Sequence, residues 1–222
     1  YDDLRENDSL KQLLKEPISI IRVWDKNSTD TSVATTLAIE WAYKLDQLVP
    51  SGKTPEARSN SLKKLNSMAS DVDPMKKLQL LVDVINDLQK RSGNWRIAWG
   101  IINRYQRINA GERFDDEKPS LPVGLAAATW GSLPSFATIR PSGLIKRYGV
   151  SGNSFIACVE FGKKVKAKAI STGGSSFDPS SKHFTDQANG YINGNFKDIF
   201  FYKEDVLKHV EKKYHPGSEA GL

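Results

Sequence analysis

Hydrophobic positions recur at helical spacing through the first part of the chain. One stripe repeats every three or four residues, as on one face of a helix, and consists of Leu37, Trp41, Leu45 and Leu48. Asp30 or Thr31 precedes the stripe as a candidate N-cap, and Pro50 ends it. The pattern therefore predicts a helix between these signals.

Three further helices follow from the same kind of pattern. Residues 9–15 form a short amphipathic segment, and Thr54-Pro55 and Asp73-Pro74 each place a proline at a first helical position. The last of these helices ends at Ser92-Gly93 and carries a stripe of Leu78, Leu81, Ile85 and Leu88. A stripe of this kind is typical of a core and does not indicate a ligand site.

The pattern changes near Gly111. Residues 118–152 are rich in Gly, Pro, Ser and aromatic side chains, which indicates extended, irregular backbone. Residues 154–161 read as an apolar strand, and residues 165–171 return with alternating polar and apolar side chains after a turn at Gly162. This pattern predicts a two-stranded hairpin.

The remaining segments complete the fold prediction. Residues 196–202 indicate a short strand and residues 204–213 a helix, with a frayed tail from Gly217. A lone hairpin is marginal in water, so we expect its apolar strands to need partners from outside the chain. The predicted class is α+β, with a helical subdomain over 1–110 and a β-rich part over 111–222.

Composition and charge narrow the class of protein. With 222 residues, 39% hydrophobic and 26% charged, the chain has a globular balance. It has no apolar run long enough to cross a bilayer and no signal peptide pattern at its start, so no membrane partner is expected. The net charge of +6 raises nucleic-acid binding as an alternative, testable by salt-dependent retention on polyanions. Lysines cluster at the hairpin turn, which favours a solvated strand edge over a nucleic-acid site: Lys163, Lys164, Lys166 and Lys168.

A search for catalytic and metal motifs finds no complete site. The chain has no nucleophile elbow, P-loop or dinucleotide fingerprint. His183, His209 and His215 lack metal-type spacing, and Asp178 and Asp186 do not fit a calcium loop. The search therefore predicts a globular α+β piece without a full active site.

The single cysteine and a set of aromatic side chains suggest functional sites, but the sequence predicts that both lie in the hydrophobic core. Cys158, the single cysteine, lies in an apolar run, where a small buried residue is expected. An alternative function, a non-catalytic ligand-binding module, would use a platform of aromatic side chains: Trp95, Trp99, Tyr105 and Trp130.

A resemblance to a known family rests on motifs in the second half of the chain. Residues 149–162 read GVSGNSFIACVEFG, and residues 173–187 read GGSSFDPSSKHFTDQ. Together they resemble the end of the β-subunit of penicillin acylase-type enzymes, including acyl-homoserine lactone and aculeacin acylases. Upstream, the segments around Trp99, Leu121 and Thr129 resemble further family segments in the same order.

The resemblance implies an N-terminal nucleophile hydrolase with a four-layer αββα sandwich. In that family the precursor cuts itself, and the new N-terminal Ser attacks the substrate amide with its own α-amine as base. The chain begins with Tyr1, which cannot play that role, so we expect a truncated or proteolysed C-terminal piece that is inactive alone. The nucleophile and the oxyanion Asn would lie upstream.

The same resemblance implies the partners and surroundings of the parent enzyme. The partners would be the rest of the β-subunit, the α-subunit and an N-acyl amide substrate, with no nucleic acid. The location would be periplasmic or secreted, and any structural calcium would be bound upstream, with no cofactor in this chain. Penicillins, acyl-homoserine lactones and cyclic lipopeptides all stay open as substrates.

Two expectations concern particular residues of the resembling segments. Glu160 resembles a late Glu that orients a His near the nucleophile in glutaryl-type cephalosporin acylases, and it is our candidate site residue. Its alternative is an exposed strand residue. The segment 173–187 is expected to be an ordered, buried connection in which Asp178 and Asp186 accept backbone N–H groups, His183 bridges backbone groups and Phe184 anchors the chain.

Overall fold

The chain folds into two compact units in a computed structural model that describes residues 1–49, 61–210, 213 and 215. The units are Tyr1–Asn153 and Ser154–Leu222. The division after residue 110 that the sequence indicates falls inside the first unit, close to the point where helices give way to strands. As a domain boundary it stays a prediction.

Helices dominate the start of the first unit. Its described residues form α1 (Ser9–Arg22), α2 (Val33–Asp46), α3 (Ser61–Ser70), α4 (Pro74–Ser92) and the short α5 (Trp99–Ile102), with a 3₁₀ turn at Ala128–Trp130. Over the described part of the chain, no helix combines the length and apolarity that crossing a bilayer would require. The predicted helix start at Thr54-Pro55 lies outside the described residues, and α3 is the helix that is described after it.

The first helix is longer than predicted. Its N-cap is Asp8, whose carboxylate accepts the backbone N–H groups of Leu10 and Lys11. The helix continues past residue 15 and through Pro17, because both Pro17 and Ile18 are buried in the core. Burial of this face outweighs the backbone hydrogen bond that the proline removes.

The caps of the next helices confirm one predicted start and correct another. Asp73 caps α4 with Pro74 at the first helical position, and Gly93 ends it in the left-handed region at φ 72°. The N-cap of α2 is Ser32, whose Oγ accepts the Thr35 N–H at 3.0 Å. Asp30, one of the predicted caps, instead accepts the Gly100 N–H at its backbone oxygen, at 2.7 Å.

The apolar stripes of α1, α2 and α4 meet in the core of the first unit. One cluster joins α2 and α4 to α5 through Leu37, Ile39, Val84, Leu88, Trp99, Ile102 and Ala126. A second joins α1 to α4 through Leu14, Ile18, Leu78, Leu81, Val82 and Ile85. Each fully buried aliphatic side chain contributes about 1.5–3 kcal/mol relative to exposure.

A four-stranded mixed sheet follows the helices. It runs in the order β2-β1-β4-β3, with β1 (Asn103–Tyr105), β2 (Leu121–Pro122), β3 (Phe136–Ile139) and β4 (Arg147–Gly152). β1 pairs parallel with β4, and the other pairs are antiparallel. The sequence predicted only irregular extended backbone over 118–152, because these strands are short and contain Gly and Pro.

A buried ion network fastens the β3–β4 hairpin to α2. The Glu40 carboxylate, only 7% exposed, accepts two hydrogen bonds from Arg140, at 3.1 and 2.9 Å. Arg147 donates to the same carboxylate at 3.3 Å and to the Thr138 hydroxyl at 3.1 Å. Its guanidinium also lies 4.0 Å from the centre of the Tyr43 ring, a cation–π contact.

The second unit contains an antiparallel sheet and two short helices. Its described elements are β5 (Phe155–Glu160), β6 (Lys166–Ser171), β7 (Lys197–Ile199), α6 (Ala188–Ile192) and α7 (Lys203–Lys208). The predicted hairpin is confirmed as β5–β6, and β7 adds a third strand beside β6. The α+β class, with a helical first half and a β-rich second half, is confirmed.

Asp116 organises the loop beside the first sheet, and its hydrogen bonds lead to a testable prediction. Burial alone would raise its pKa, but hydrogen bonds from the Ile145 N–H (2.7 Å), the Tyr148 hydroxyl (2.8 Å) and Lys146 outweigh burial and hold the pKa below its usual value. Asp116→Asn should lower the free energy of unfolding at pH 7 by about 1 kcal/mol. A carboxyl group whose pKa is lower in the folded state than in the unfolded state stabilises the fold at pH values above its unfolded-state pKa. This stabilisation is lost as the pH falls through the pKa of the folded state.

Urea unfolding from pH 7 to pH 3 checks this expectation. The difference between wild type and Asp116→Asn should shrink as the pH falls below 4. A difference that stays constant with pH would show that the Asp116 charge has no such role.

Candidate functional site

Glu160 lies at the end of β5, opposite Lys166 of β6. The residue is exposed, and within the described part of the chain its carboxylate has no hydrogen bond or ion pair. The structure therefore leaves this carboxylate free to accept a hydrogen bond from a group outside the described residues. Its assignment as a residue that orients a His stays a prediction.

A groove with a volume of about 570 Å³ lies over the sheet next to Glu160. Its apolar lining includes Val159, Ile199 and Phe200, and its charged lining includes Lys166. This volume is in the range of small-molecule sites, and mixed apolar and charged walls are typical of them. Glu160 thus combines a free carboxylate with a concave setting.

Four of the other charged side chains around the groove form two ion pairs. The Lys164 ammonium lies 2.7 Å from Asp205, and this hydrogen bond raises the pKa of Lys164 and lowers that of Asp205. Lys168 lies 3.6 Å from Asp198 across the β6–β7 pair. The hairpin lysines are exposed to solvent, as the sequence interpretation favoured, and Lys164 and Lys168 are also paired with acidic side chains.

Cys158 is exposed, so its prediction as a core residue was wrong. It lies on β5 opposite Lys168 and lines the groove. The apolar run around it indicated burial, but this part of the sheet has no covering layer among the described residues. An apolar sequence shows which residues favour burial and does not show which chain buries them.

The segment 173–187 is a closed, hydrogen-bonded loop. The Gln187 N–H donates to the Gly173 carbonyl at 2.8 Å, and the Ser176 N–H donates to the His183 carbonyl at 3.1 Å. A Cβ on Gly174 would collide with that same His183 carbonyl, which explains a glycine at this position. Order in the form of local hydrogen bonds is present, as expected.

Burial of this loop, in contrast, was predicted wrongly. None of its residues is buried, and Phe184 is only half-buried. Asp178 accepts the Ser180 N–H at 2.9 Å, and this bond lowers its pKa. Asp186 accepts from the His183 ring, with Nδ1 2.8 Å from Oδ2, and this contact lowers the pKa of Asp186 together with a backbone hydrogen bond, as expected for Asp186.

The aromatic side chains proposed as a ligand platform lie mostly in the core. Trp99 is 1% exposed and donates its indole N–H to the Leu125 carbonyl at 3.2 Å. Trp95 and Trp130 are partly buried against the same core cluster. They therefore do not form the exposed aromatic platform on which the binding-module alternative depends.

The described residues also hold no group of three or more His, Cys, Asp or Glu side chains placed to bind a metal ion. His209 lies at the end of α7, where its ring stacks on the Phe200 ring with 3.9 Å between the ring centroids. Calcium ligands upstream of this chain stay an expectation.

The motif around Trp99 and Asn103 has a structural explanation. Gly100 packs against Asp30 so closely that a Cβ there would lie 2.7 Å from the Asp30 Cβ. The buried Asn103 amide donates to the Val123 and Leu125 carbonyls at 2.7 and 2.9 Å. The Asn103 hydrogen bonds tie β1 to the extended segment that follows, and the Gly100 contact holds α5 against the residues before α2, roles that the spacing alone did not indicate.

Comparison with known families now decides the assignment. A family model described as penicillin amidase matches residues 2–208, which is nearly the whole chain. This chain belongs to the penicillin amidase family. The match spans both compact units, so the segments around Trp99 and over 173–187 belong to one family, and the match supports an acylase-type hydrolase.

Proposed function

We propose that this chain is the C-terminal part of the β-subunit of an N-acyl amide hydrolase whose Ser nucleophile lies on an upstream segment. The observation that carries the proposal is the penicillin amidase match over residues 2–208. The order of the resembling motifs within that match agrees with a position at the end of the β-subunit.

The proposed reaction uses the α-amine of an N-terminal Ser as the base for its own hydroxyl. An α-amine has a pKa of about 8, so a useful fraction is neutral near pH 7. The Ser hydroxyl attacks the amide carbonyl, the amine leaves, and water releases the acyl group. Backbone N–H groups and an upstream Asn would stabilise the oxyanion.

In this proposal the second unit supplies part of the αββα sandwich. Its sheet and the residues just beyond the strand ends expose large apolar side chains, among them Phe155, Phe161 and Phe201, which are 59%, 84% and 75% exposed. Exposed aromatic side chains on one unit favour packing against another layer of protein. The rest of the β-subunit and the α-subunit are the partners that would provide that layer.

Glu160 has a specific role in the proposal. Its carboxylate would accept a ring N–H from an upstream His and hold that imidazole toward the nucleophile. Two observations support this role: the carboxylate has no partner among the described residues, and a groove adjoins it. Glu160 is then a positioning residue, because it would act through the imidazole.

The surroundings of the enzyme are proposed from the family as well. The substrate would be an N-acyl amide, with penicillins, acyl-homoserine lactones and cyclic lipopeptides as the candidate classes. The enzyme would be periplasmic or secreted, and structural calcium would be bound by upstream residues.

Hydrolysis assays test whether catalysis requires the upstream segment in addition to this chain. The 222-residue chain should not hydrolyse chromogenic phenylacetyl or fatty-acyl anilides, because it would lack the nucleophile. The same chain produced within its precursor, together with the upstream segment, should hydrolyse at least one of a panel of N-acyl amides. Turnover that follows the isolated chain through purification would contradict the proposal.

A further inference from the structure

Lys166 and Glu160 face each other at the last residue pair of the β5–β6 ladder. Side chains directly opposite in an antiparallel pair lie on the same face of the sheet, with their Cβ atoms about 4.5–5.5 Å apart. Both side chains are exposed, and both line the groove. The ladder therefore places an ammonium group directly across from the candidate carboxylate.

The charge of Lys166 is not committed to another partner, unlike the charges of the other groove lysines. Lys164 and Lys168 each lie near an aspartate carboxylate, at 2.7 and 3.6 Å. Among the described residues, Lys166 has no ion pair and no side-chain hydrogen bond. Of the three lysines that line the groove, it is thus the one whose charge can act on Glu160 without competition from a nearer acid.

The start of β6 is fixed beside this pair. The Val165 N–H donates to the Tyr202 hydroxyl at 2.8 Å, and the Lys164 ammonium lies 4.7 Å from the centre of the Tyr202 ring. These contacts hold the residue before Lys166 at a point where the end of a hairpin ladder would otherwise fray. Lys166 therefore has a defined backbone position, and its ammonium leaves the Glu160 oxygens open to another donor.

We propose that Lys166 is a positioning residue that keeps the Glu160 carboxylate ionised in the assembled enzyme. The inference rests on the proposed function, in which Glu160 accepts a ring N–H from an upstream His and another layer of protein covers this sheet. A covering layer removes water, and a carboxylate without a positive charge nearby then favours its protonated form. The same loss of water strengthens the attraction between the ammonium and the carboxylate. Only the ionised carboxylate stabilises a protonated imidazole, so Lys166 would act on catalysis through Glu160.

Steady-state kinetics of Lys166→Met, in the enzyme assembled from its full precursor, test the proposal. Methionine keeps an unbranched side chain and removes the charge, so Glu160 should take up a proton at higher pH. At the acidic end of the pH profile kcat should fall about tenfold, while kcat at the alkaline end and KM stay at wild-type values. Lys166→Arg retains the charge and should restore the wild-type profile.

A matched control and a double variant separate this role from a structural one. Lys168→Met removes an ammonium from the same strand and the same groove, but that ammonium is paired with Asp198, so the pH profile should stay at wild type. In the Glu160→Gln background, Lys166→Met should have no further effect on kcat, because no ionisable carboxylate remains at residue 160. Circular dichroism melts check that each variant is folded.

The outcomes distinguish this inference from the proposed function. If Glu160→Gln lowers kcat but Lys166→Met leaves the pH profile unchanged, the role of Glu160 stands and the inference about Lys166 is overturned. A higher KM with an unchanged profile, or an equal effect of Lys166→Met with and without the Glu160 carboxylate, overturns it as well. If Glu160→Gln itself has wild-type kinetics, the proposed role of Glu160 fails, and the inference fails with it.

Discussion

Replacing Glu40 with alanine should lower the free energy of unfolding of the first unit by about 3–5 kcal/mol. The carboxylate is buried and accepts hydrogen bonds from both Arg140 and Arg147. Without it, two guanidinium groups stay in a desolvated site with no negative partner. The lost ion pair and the unpaired buried charges act in the same direction, so the effect is large.

Urea unfolding followed by tryptophan fluorescence measures this effect in the right part of the molecule, because all five tryptophans lie in the first unit. The matched control is Glu16→Ala, which removes an exposed carboxylate paired with Arg96. An exposed pair of this kind contributes at most about 1 kcal/mol. If Glu40→Ala is no more destabilising than Glu16→Ala, the network does not fasten the hairpin to α2.

In the assembled hydrolase, Glu160→Gln should lower kcat on the order of 100-fold and leave KM nearly unchanged. The amide is close in size to the carboxylate but cannot stabilise a protonated imidazole or fix its tautomer in the same way. Binding of the acyl group should be unaffected, because Glu160 would contact only the imidazole. Steady-state kinetics over a range of pH distinguish a loss of imidazole positioning from a folding defect, because the loss of positioning should also change the pH profile of kcat.

The control for this prediction is Glu204→Gln. Glu204 is another exposed carboxylate of the second unit, and it pairs with Lys164 at 3.5 Å. Its replacement should leave both kcat and the pH profile at wild-type values. Equal kinetics for the two variants would assign Glu160 to the ordinary surface of the strand.

Local rules predicted the helices and the hairpin well. The Asp73-Pro74 start and the Gly93 end of α4 follow from capping chemistry, which depends on neighbouring residues only. The alternation in β6 likewise predicted a hairpin in the correct place. Such signals can be interpreted without knowing what else packs against the element.

Features that depend on distant contacts were missed. Nothing near Pro17 indicates that α1 continues through it, because the compensation comes from burial against α4. The first sheet depends on the Asn103↔Arg147 pairing across a long loop, which the sequence pattern does not reveal. Register between short strands is fixed by tertiary contacts and not by local periodicity.

The candidate site was predicted only in part, because it too depends on contacts between residues that are distant in the sequence. The motif over 173–187 indicated an ordered segment, but the role of Gly174 depends on where the His183 carbonyl lies. Cys158 looked like a core residue because its neighbours are apolar, although it is exposed in the part of the chain that the structure describes. Glu160 came from the family resemblance alone, and the groove beside it was visible only in three dimensions.

Labelling with a serine-directed sulfonyl fluoride, followed by peptide mapping of the assembled enzyme, tests the central claim most directly. The account predicts loss of activity together with a single modified residue, the N-terminal Ser of an upstream segment, and no modified residue within this chain. A label on a Ser or on Cys158 of this chain, in proportion to the loss of activity, would contradict it.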